Sequence, residues 1–173
     1  DKYPFKNLCG TGLVFKVVQA LQKEMALPPA FDKWQLDLAA LATIADMMPL
    51  LGENRTLVKY GLIVLAQTKR VGLNLLMKTT GIIPTLDRKE LVTNLTSEII
   101  NYVLAPRLNV ASRMAHADIA YRLLKTNSPS EAQDLINTLQ SLNQKRQKLV
   151  QDIIAGIEEK FKKYPKLLKS SFI

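Results

Sequence analysis

The feature that most constrains the fold is a long helical pattern that begins at Ser128 and runs to Tyr164 and Pro165. Ser128, followed by Pro129 and Glu131, forms a capping box with proline in the first helical turn. Apolar residues then recur at helical spacing, namely Ala132, Leu135, Ile136, Leu139, Leu142, Leu149, Val150, Ile153, Ile154, Ile157 and Phe161. At 1.5 Å per residue this helix is about 50 Å long, which exceeds the width of a small domain. We therefore expect it to join two bodies or to enter a coiled coil.

The apolar stripe is interrupted at Asn143–Lys148, where every side chain is polar. We call this the polar segment, and we expect the helix there to be surrounded by solvent or to face something polar. Shorter helices are predicted before it, at about Gly12–Met25, Gln35–Met48, Glu53–Gln67, Gly72–Lys78, Thr85–Tyr102 and Ala111–Leu124. Pro106 predicts that 105–109 is an irregular connection, because proline cannot continue a helical hydrogen-bond ladder.

The composition favours helices over sheets. Seven glycines and 6% aromatic residues are few for a β-sandwich or barrel, whose turns and strands use both types. A hydrophobic fraction of 47% with 23% charged residues is typical of a folded protein, and 173 residues suffice for one domain or for parts of two. We predict a mainly all-α fold.

The charge balance and the cysteine content restrict the function classes. There are 24 Lys and Arg against 15 Asp and Glu, a formal charge of +9, which suits a polyanionic partner but is also found in many helical proteins without one. The single cysteine, Cys9, excludes an internal disulfide and multi-cysteine metal sites. The apolar run 38–51 is too short to cross a bilayer, and no targeting segment is visible, so we expect a cytoplasmic protein that is not in a membrane.

Asp46 is the first candidate functional residue, because it lies in that apolar run. A buried carboxylate is costly unless it is paired, hydrogen-bonded or bound to a cation. The alternative is a position at the helix edge, where Asp46 accepts backbone hydrogen bonds or pairs with Arg55. Asp37 has a simpler explanation, since a carboxylate in the first turn of a helix interacts favourably with the macrodipole.

The second candidate is the segment 105–114, which contains Arg107 and Arg113. Two arginines around an irregular segment and a helix start could converge on one phosphate, for which the planar guanidinium is well suited. Asn109 and Ser112 add hydrogen-bond donors. The alternative is a capped helix start with two surface arginines. His116 is predicted to be an ordinary surface histidine.

Three blocks of the sequence resemble, in the same order, the RecJ-type single-strand-specific exonucleases of the DHH phosphoesterase superfamily. Tyr3–Lys16 is similar to the segment after the DHH motif of the family, and Leu36–Leu50, continued by Gly52–Arg55, is similar to its fourth motif. Ala105–Met114 is similar to its proline-arginine-asparagine block. Ser112 departs from the family pattern, which usually has glycine at that position.

The resemblance implies a role for each candidate. Asp46 would ligate a catalytic Mn²⁺ or Mg²⁺, together with an aspartate-rich motif and a DHH triplet that this sequence lacks. Oxygen ligands suit these cations, which activate water and stabilise the leaving oxygen in phosphodiester cleavage. Arg107 and Arg113, with Asn109 and Ser112, would line the groove for single-stranded DNA.

The resemblance also implies an organisation. Residues 1–125 would be the C-terminal helical part of a DHH domain, and residues 126–173 a connector helix leading toward a DHHA1 domain outside this sequence. The function implied is that of a fragment of a metal-dependent 5′-to-3′ exonuclease used in DNA repair and recombination. Alternatives are a DHH-family oligonucleotide or cyclic-dinucleotide phosphodiesterase, and a non-catalytic helical binding module. We expect the fragment alone to be inactive, and an exposed domain face could drive its self-association.

Overall fold

The computed structural model describes residues 3–165, and they are mainly helical. The α-helices are α1 (Gly10–Glu24), α2 (Leu36–Ala45), α3 (Gly52–Ala66), α4 (Val71–Thr79), α5 (Ser97–Ile99), α6 (Ala105–Met114), α7 (Asp118–Lys125) and α8 (Pro129–Lys163). A 3₁₀ turn (Lys33–Gln35) precedes α2, and a π turn (Ile100–Leu104) joins α5 to α6. The strands β1 (Leu86–Asp87) and β2 (Val92–Thr93) form a short antiparallel hairpin. The all-α prediction is confirmed, and α1 to α4 begin and end within three residues of their predicted bounds.

Helix α2 lies at the centre of the packing and is covered mainly by α3. Ala39, Ala40 and Thr43 of α2 are fully buried. The α3 backbone can approach this closely because residue 61 is glycine. A Cβ atom at Gly61 would overlap Ala40 and would lie 2.5 Å from the carbonyl oxygen of Leu36. Small residues on both helices therefore set the distance between α2 and α3.

The body of the protein is closed by α7 and the first half of α8. Leu123 of α7 is fully buried, and its carbonyl oxygen occupies the space that a Cβ atom at Gly72 would need. From α8, fully or almost fully buried apolar residues enter the same core, namely Ala132, Leu135, Ile136 and Leu139. The first half of the long helix is therefore part of the body rather than a free spacer.

The predicted long helix is confirmed at its start and over its length. The Ser128 hydroxyl accepts a hydrogen bond from the Glu131 N–H at 3.3 Å, which is one half of the capping box; the Glu131 carboxylate accepts from Thr126 and Arg122 instead of the Ser128 N–H. The helix has 35 residues. Residues 147–160 are all exposed, although the stripe continues there, so about 20 Å of helix extends beyond the core. Residues 166–173 of the predicted connector lie outside the described residues. No helix within 3–165 is long and apolar enough to span a bilayer.

The helix predicted over Thr85–Tyr102 is wrong in its first half, where the hairpin lies. The carboxylate of Asp87 accepts hydrogen bonds from the N–H groups of Lys89 (2.8 Å) and Glu90 (3.1 Å). An aspartate that bonds nearby backbone donors in this way stabilises a turn in competition with a helix. The helix begins instead after Thr96, whose hydroxyl accepts from the Ile99 N–H.

The connection predicted at 105–109 is also wrong, because helix α6 starts at Ala105 and contains Pro106. The preceding π turn accommodates this proline, since the missing N–H falls where the hydrogen-bond register changes. The predicted helix over Ala111–Leu124 is interrupted after Met114. His116 Nδ1 accepts a hydrogen bond from the Asp118 N–H at 3.2 Å and so helps to start α7.

Candidate metal and nucleic-acid site

Asp46 is the C-terminal cap of α2 and is exposed. The Met47 N–H bonds the Ile44 carbonyl (2.9 Å) and the Met48 N–H bonds the Thr43 carbonyl (3.1 Å), which is the pattern of a Schellman motif. Met47 takes the left-handed position of the motif, with φ 52°, where glycine is usual. The position of Asp46 is therefore the helix edge rather than the helix interior.

The carboxylate of Asp46 lies at an electrostatically unfavourable place, because the C-terminus of a helix carries partial negative charge. Within residues 3–165 it forms no ion pair, either with Arg55 or with another basic side chain. The same residues contain no group of three His, Cys, Asp or Glu side chains able to hold a metal ion. Asp46 therefore fits a divalent cation as one oxygen ligand, but it does not form a complete site with the other described residues.

The loop that follows Asp46 is held in place by Asn54, which is fully buried. The Asn54 side-chain amide donates to the carbonyl oxygens of Asn7 (2.6 Å) and Pro49 (3.0 Å). Asn54 thus joins the N-terminal segment to the turn after α2 and fixes the direction of the Asp46 loop. The sequence signal was weak, since a single asparagine in the first turn of α3 is an ordinary surface residue in most helices.

Asp37, and not Asp46, is the buried carboxylate of α2, with 2% of its surface exposed. Its Oδ2 accepts hydrogen bonds from Thr68 Oγ1 (2.8 Å) and Arg70 Nε (3.1 Å). The helix macrodipole is therefore only part of its explanation. These contacts join the start of α2 to the turn between α3 and α4, which is a structural role.

The structure separates the two arginines of α6. They lie six positions apart on one helix, so their side chains point about 120° apart. Arg107 is half-buried and its Nη1 donates to the Val103 carbonyl at 2.7 Å. Arg113 is exposed, as are Asn109 and Ser112, and the Ser112 hydroxyl donates to the Asn109 carbonyl at 3.1 Å. Arg107 and Arg113 therefore do not converge on one point.

Two neighbouring cavities bring the other candidates together. The Asp46 cavity, of about 370 Å³, is lined by Thr11, Leu38, Leu41, Ala42, Ala45, Asp46, Ala105, Leu108, Asn109, Ser112, Ala117, Ala120 and Leu124. The arginine cavity, of about 240 Å³, is lined by Ala45, Met47, Asn101, Tyr102, Ala105, Pro106, Asn109, Arg113 and Arg146. They share Ala45, Ala105 and Asn109. The candidate metal ligand thus lies in a cavity that adjoins a basic one.

Arg146 and Tyr102 are members of this region that the sequence did not indicate. Arg146 comes from the polar segment of α8 and is half-buried, so that segment faces a polar cavity rather than solvent alone. Tyr102 lies in the π turn with 79% of its surface exposed. A signal existed for Arg146, because polar residues interrupting an apolar stripe indicate a polar surface opposite them.

A larger cavity, of about 510 Å³, lies between α1 and α3 and contains none of the candidate residues. Two of its charged groups form an ion pair, because Lys16 Nζ lies 2.6 Å from a Glu53 carboxylate oxygen, and Asp32 and Lys33 also line it. The hydrogen bond from Lys16 lowers the pKa of Glu53 below its ordinary value. Paired in this way, the two groups stabilise the fold and are not free for chemistry.

Comparison with known proteins first identifies the class of protein that the chain resembles. No protein-family model matches the chain. The matching curated relatives are single-stranded-DNA-specific exonucleases, and the matching solved structures belong to the same kind of protein.

The particular relatives are RecJ proteins. The chain is 40% identical over 148 residues to the single-stranded-DNA-specific exonuclease RecJ of Bacillus subtilis, which covers 86% of this chain and 17% of the relative. It is similar to the crystal structure of RecJ from Thermus thermophilus in complex with Mg²⁺, with 36% identity and a TM-score of 0.76 over 90% of this chain and 23% of that one. A structure of exonuclease RecJ bound to manganese gives a TM-score of 0.77 at 36% identity, over 90% of this chain and 37% of that one. The chain spans 17–27% of the length of the curated relatives it matches.

Proposed function

We propose that the chain is part of a metal-dependent RecJ-type exonuclease of the DHH phosphoesterase superfamily, which hydrolyses single-stranded DNA from 5′ to 3′ in repair and recombination. The similarity to RecJ proteins over most of the chain supports this proposal. In it, residues 1–125 correspond to the helical end of the DHH domain, and residues 126–173 to the connector toward the DHHA1 domain. The cytoplasmic location stays a prediction.

The observation that carries the proposal is the exposed carboxylate of Asp46 beside a basic cavity. We assign Asp46 as one oxygen ligand of Mn²⁺ or Mg²⁺, the cations bound in the solved RecJ structures. Such ions, when bound, activate water and stabilise the leaving oxygen of a phosphodiester. Asn54 positions Asp46 indirectly, because it fixes the loop that follows the carboxylate.

The DNA strand is proposed to run along the exposed face of α6. Asn109 and Arg113 offer donors to phosphate oxygens on this face, and Ser112 would join them by turning its hydroxyl away from the Asn109 carbonyl. Arg107 contributes positive charge from another direction, and its Nε is buried without a hydrogen-bond partner among the described residues. The overall charge of +9 adds a long-range attraction for a polyanion.

The test is Asp46→Asn in the full-length protein that contains this chain. We expect loss of Mn²⁺-dependent release of nucleotides from end-labelled single-stranded DNA, because an amide is a much poorer cation ligand than a carboxylate. The thermal unfolding temperature should stay close to that of the wild type, since Asp46 is exposed. Asp134→Asn, which removes an exposed carboxylate from α8, is the matched control and should retain activity. Undiminished activity of Asp46→Asn would contradict the assignment.

The substrate tested in the same assay separates the alternatives. Preference for dinucleotides or cyclic dinucleotides over long single strands would favour an oligonucleotide phosphodiesterase.

The isolated chain is proposed to bind DNA without cutting it, because Asp46 is a single ligand in the part described. We further propose that the isolated chain self-associates. The exposed apolar side chains on which this rests belong to α1 and to the second half of α8, whereas α2 is covered.

A further inference from the structure

The arginine cavity has the chemistry of a phosphate site. Its lining residues include Arg113 of α6 and Arg146 of α8, together with Asn101 and Asn109. None of its lining residues is acidic. Its volume of about 240 Å³ is below the roughly 300–1,000 Å³ of pockets for drug-sized ligands, so it suits one nucleotide unit rather than a longer piece.

Arg146 is the residue that most needs a ligand. Its Nε is buried and has no hydrogen-bond partner within residues 3–165. A buried donor without a partner is unfavourable because it has lost its hydrogen bonds to water, and more so when it is charged. Neither Arg146 nor Arg113 forms an ion pair with another described side chain. An anion bound in the cavity would accept hydrogen bonds from the Arg146 guanidinium. It would also reduce the repulsion between the positive charges of Arg113 and Arg146.

Tyr102 gives the cavity a second chemical feature. It lies in the π turn, whose widened hydrogen-bond ladder is formed by the Ala105 N–H and the Ile100 carbonyl. Single π turns inside helices are frequent at functional sites. With 79% of its surface exposed at the cavity edge, the ring offers a flat face on which an unpaired base can stack.

We propose that the arginine cavity binds one internal phosphodiester of single-stranded DNA, with Arg113 and Arg146 on the phosphate and Tyr102 stacked on the adjacent base. This inference rests on the proposed function and deepens it. It makes the long helix a part of the DNA-binding surface through Arg146, in addition to its role as a connector. It also gives a reason for single-strand specificity, because a base inside a duplex is already stacked and paired.

The experiment measures binding of fluorescent oligo-dT to the full-length protein, with Mn²⁺ omitted, over a range of salt concentrations. Arg146→Gln should weaken binding about tenfold and reduce the slope of log K against log salt by about 0.7, the value for one phosphate contact on a single strand. Arg146→Lys keeps the positive charge but loses the planar guanidinium that can donate two parallel hydrogen bonds to a phosphate. It should therefore give an intermediate affinity. Tyr102→Leu should weaken binding about tenfold without changing the salt slope.

Lys145→Gln is the matched control, because it removes the same charge from the neighbouring, exposed position of α8. An effect of Arg146→Gln no larger than that of Lys145→Gln would overturn the phosphate assignment. Equal loss of affinity for oligo-dT and for a blunt duplex in Tyr102→Leu would overturn the stacking assignment. One outcome is that the wild type and Lys145→Gln both cut DNA while Arg146→Gln binds oligo-dT as tightly as the wild type. In that case this inference fails and the exonuclease proposal stands. If the wild type neither binds nor cuts oligo-dT, both fail.

Discussion

At the residue scale, two glycines in helices have opposite roles. A Cβ atom at Gly72 would overlap the backbone carbonyl of Leu123, which cannot move without shifting α7. Gly156 lies on the exposed half of α8 with nothing within 4 Å. Gly72→Ala should therefore lower the free energy of unfolding by about 3 kcal/mol, the upper range for overpacking. Gly156→Ala should raise it by about 0.5–1 kcal/mol, because alanine is the better helix former. Urea denaturation of the two variants measures both changes.

The two variants control for each other, since both replace a helical glycine by alanine. Equal effects would mean that close packing against Leu123 does not limit residue 72. A loss of stability in Gly156→Ala would indicate that the exposed half of α8 contacts something that needs the space. Neither outcome fits the structure as described.

Two aspartates of one apolar stretch illustrate what could be predicted for single residues. The sequence indicated Asp46 as the carboxylate needing a partner, and gave Asp37 a local explanation. The partners of Asp37 are Thr68 and Arg70, which lie 31 and 33 residues further along the chain. No local pattern shows that these side chains meet, because the turn between α3 and α4 brings them together. For Asp46, the tight Schellman turn ends α2 earlier than apolar periodicity alone suggested.

At the element scale, the ion pair between Lys16 and Glu53 joins α1 to α3, and it makes stability depend on pH. The pKa of Glu53 is lowered by its hydrogen bond from Lys16, so its contribution is present above the unfolded pKa of about 4.3. That contribution is lost as the pH falls through the lower, folded value. Burial opposes the charged form of Lys16, but hydrogen bonds to Glu53 and Tyr3 outweigh it and raise its pKa. The contribution of Lys16 is therefore lost only as the pH rises above about 10.4.

The corresponding prediction uses Glu53→Gln. The two side chains are 27% and 32% exposed, so the pair should contribute at most about 1 kcal/mol. At neutral pH the variant should be less stable than the wild type by that amount, and the difference should shrink as the pH falls below the unfolded pKa of about 4.3 and Glu53 becomes protonated. Chemical denaturation across this pH range gives the comparison. Glu98→Gln, at the exposed start of α5 with no described ion pair, should show a much smaller difference.

The elements themselves were predictable where one periodic pattern ran between clear end signals. Helix α8 had a capping box and a long stripe, and helices α1 to α4 had proline or glycine near their ends. The region from residue 85 to 117 was not predictable in this way. A two-strand hairpin, a π turn with Pro106 directly after it and a break at His116 all depend on hydrogen bonds of single side chains or on a shift of helical register. Average propensities over a window do not resolve such features.

At the scale of the whole molecule, the polar segment marks the change from the packed half of α8 to its exposed half. Asn143 is buried, and Arg146 lines the arginine cavity. The sequence indicated the interruption correctly, but the cavity opposite it is formed by α2, the π turn and α6, which only tertiary packing brings together. The same packing leaves Asp46 and the basic cavity on adjacent surfaces, which is the arrangement that the proposed cleavage of a charged polymer needs.

The exposed apolar surface leads to a prediction for the isolated chain. On α1, Leu13, Val14, Val17 and Leu21 lie on one face with 42–60% of their surfaces exposed. Contiguous apolar patches on this scale usually mark an interface. We expect the isolated chain to form dimers through α1, detectable by sedimentation equilibrium, because pairing two such faces removes apolar area from water at about 25 cal/mol per Å².

The double variant Val14→Gln and Val17→Gln should weaken this dimer at least tenfold, since it places polar groups in the centre of the face without filling any space in the core. Ile153→Gln with Ile157→Gln is the matched pair on α8, where both side chains are exposed. A dimer that responds only to the α8 pair would place the interface on the long helix. A chain that stays monomeric at all concentrations would contradict self-association altogether. In the full-length protein the α1 face should be covered, so the α1 pair should there lower the stability of the fold instead of changing its oligomeric state.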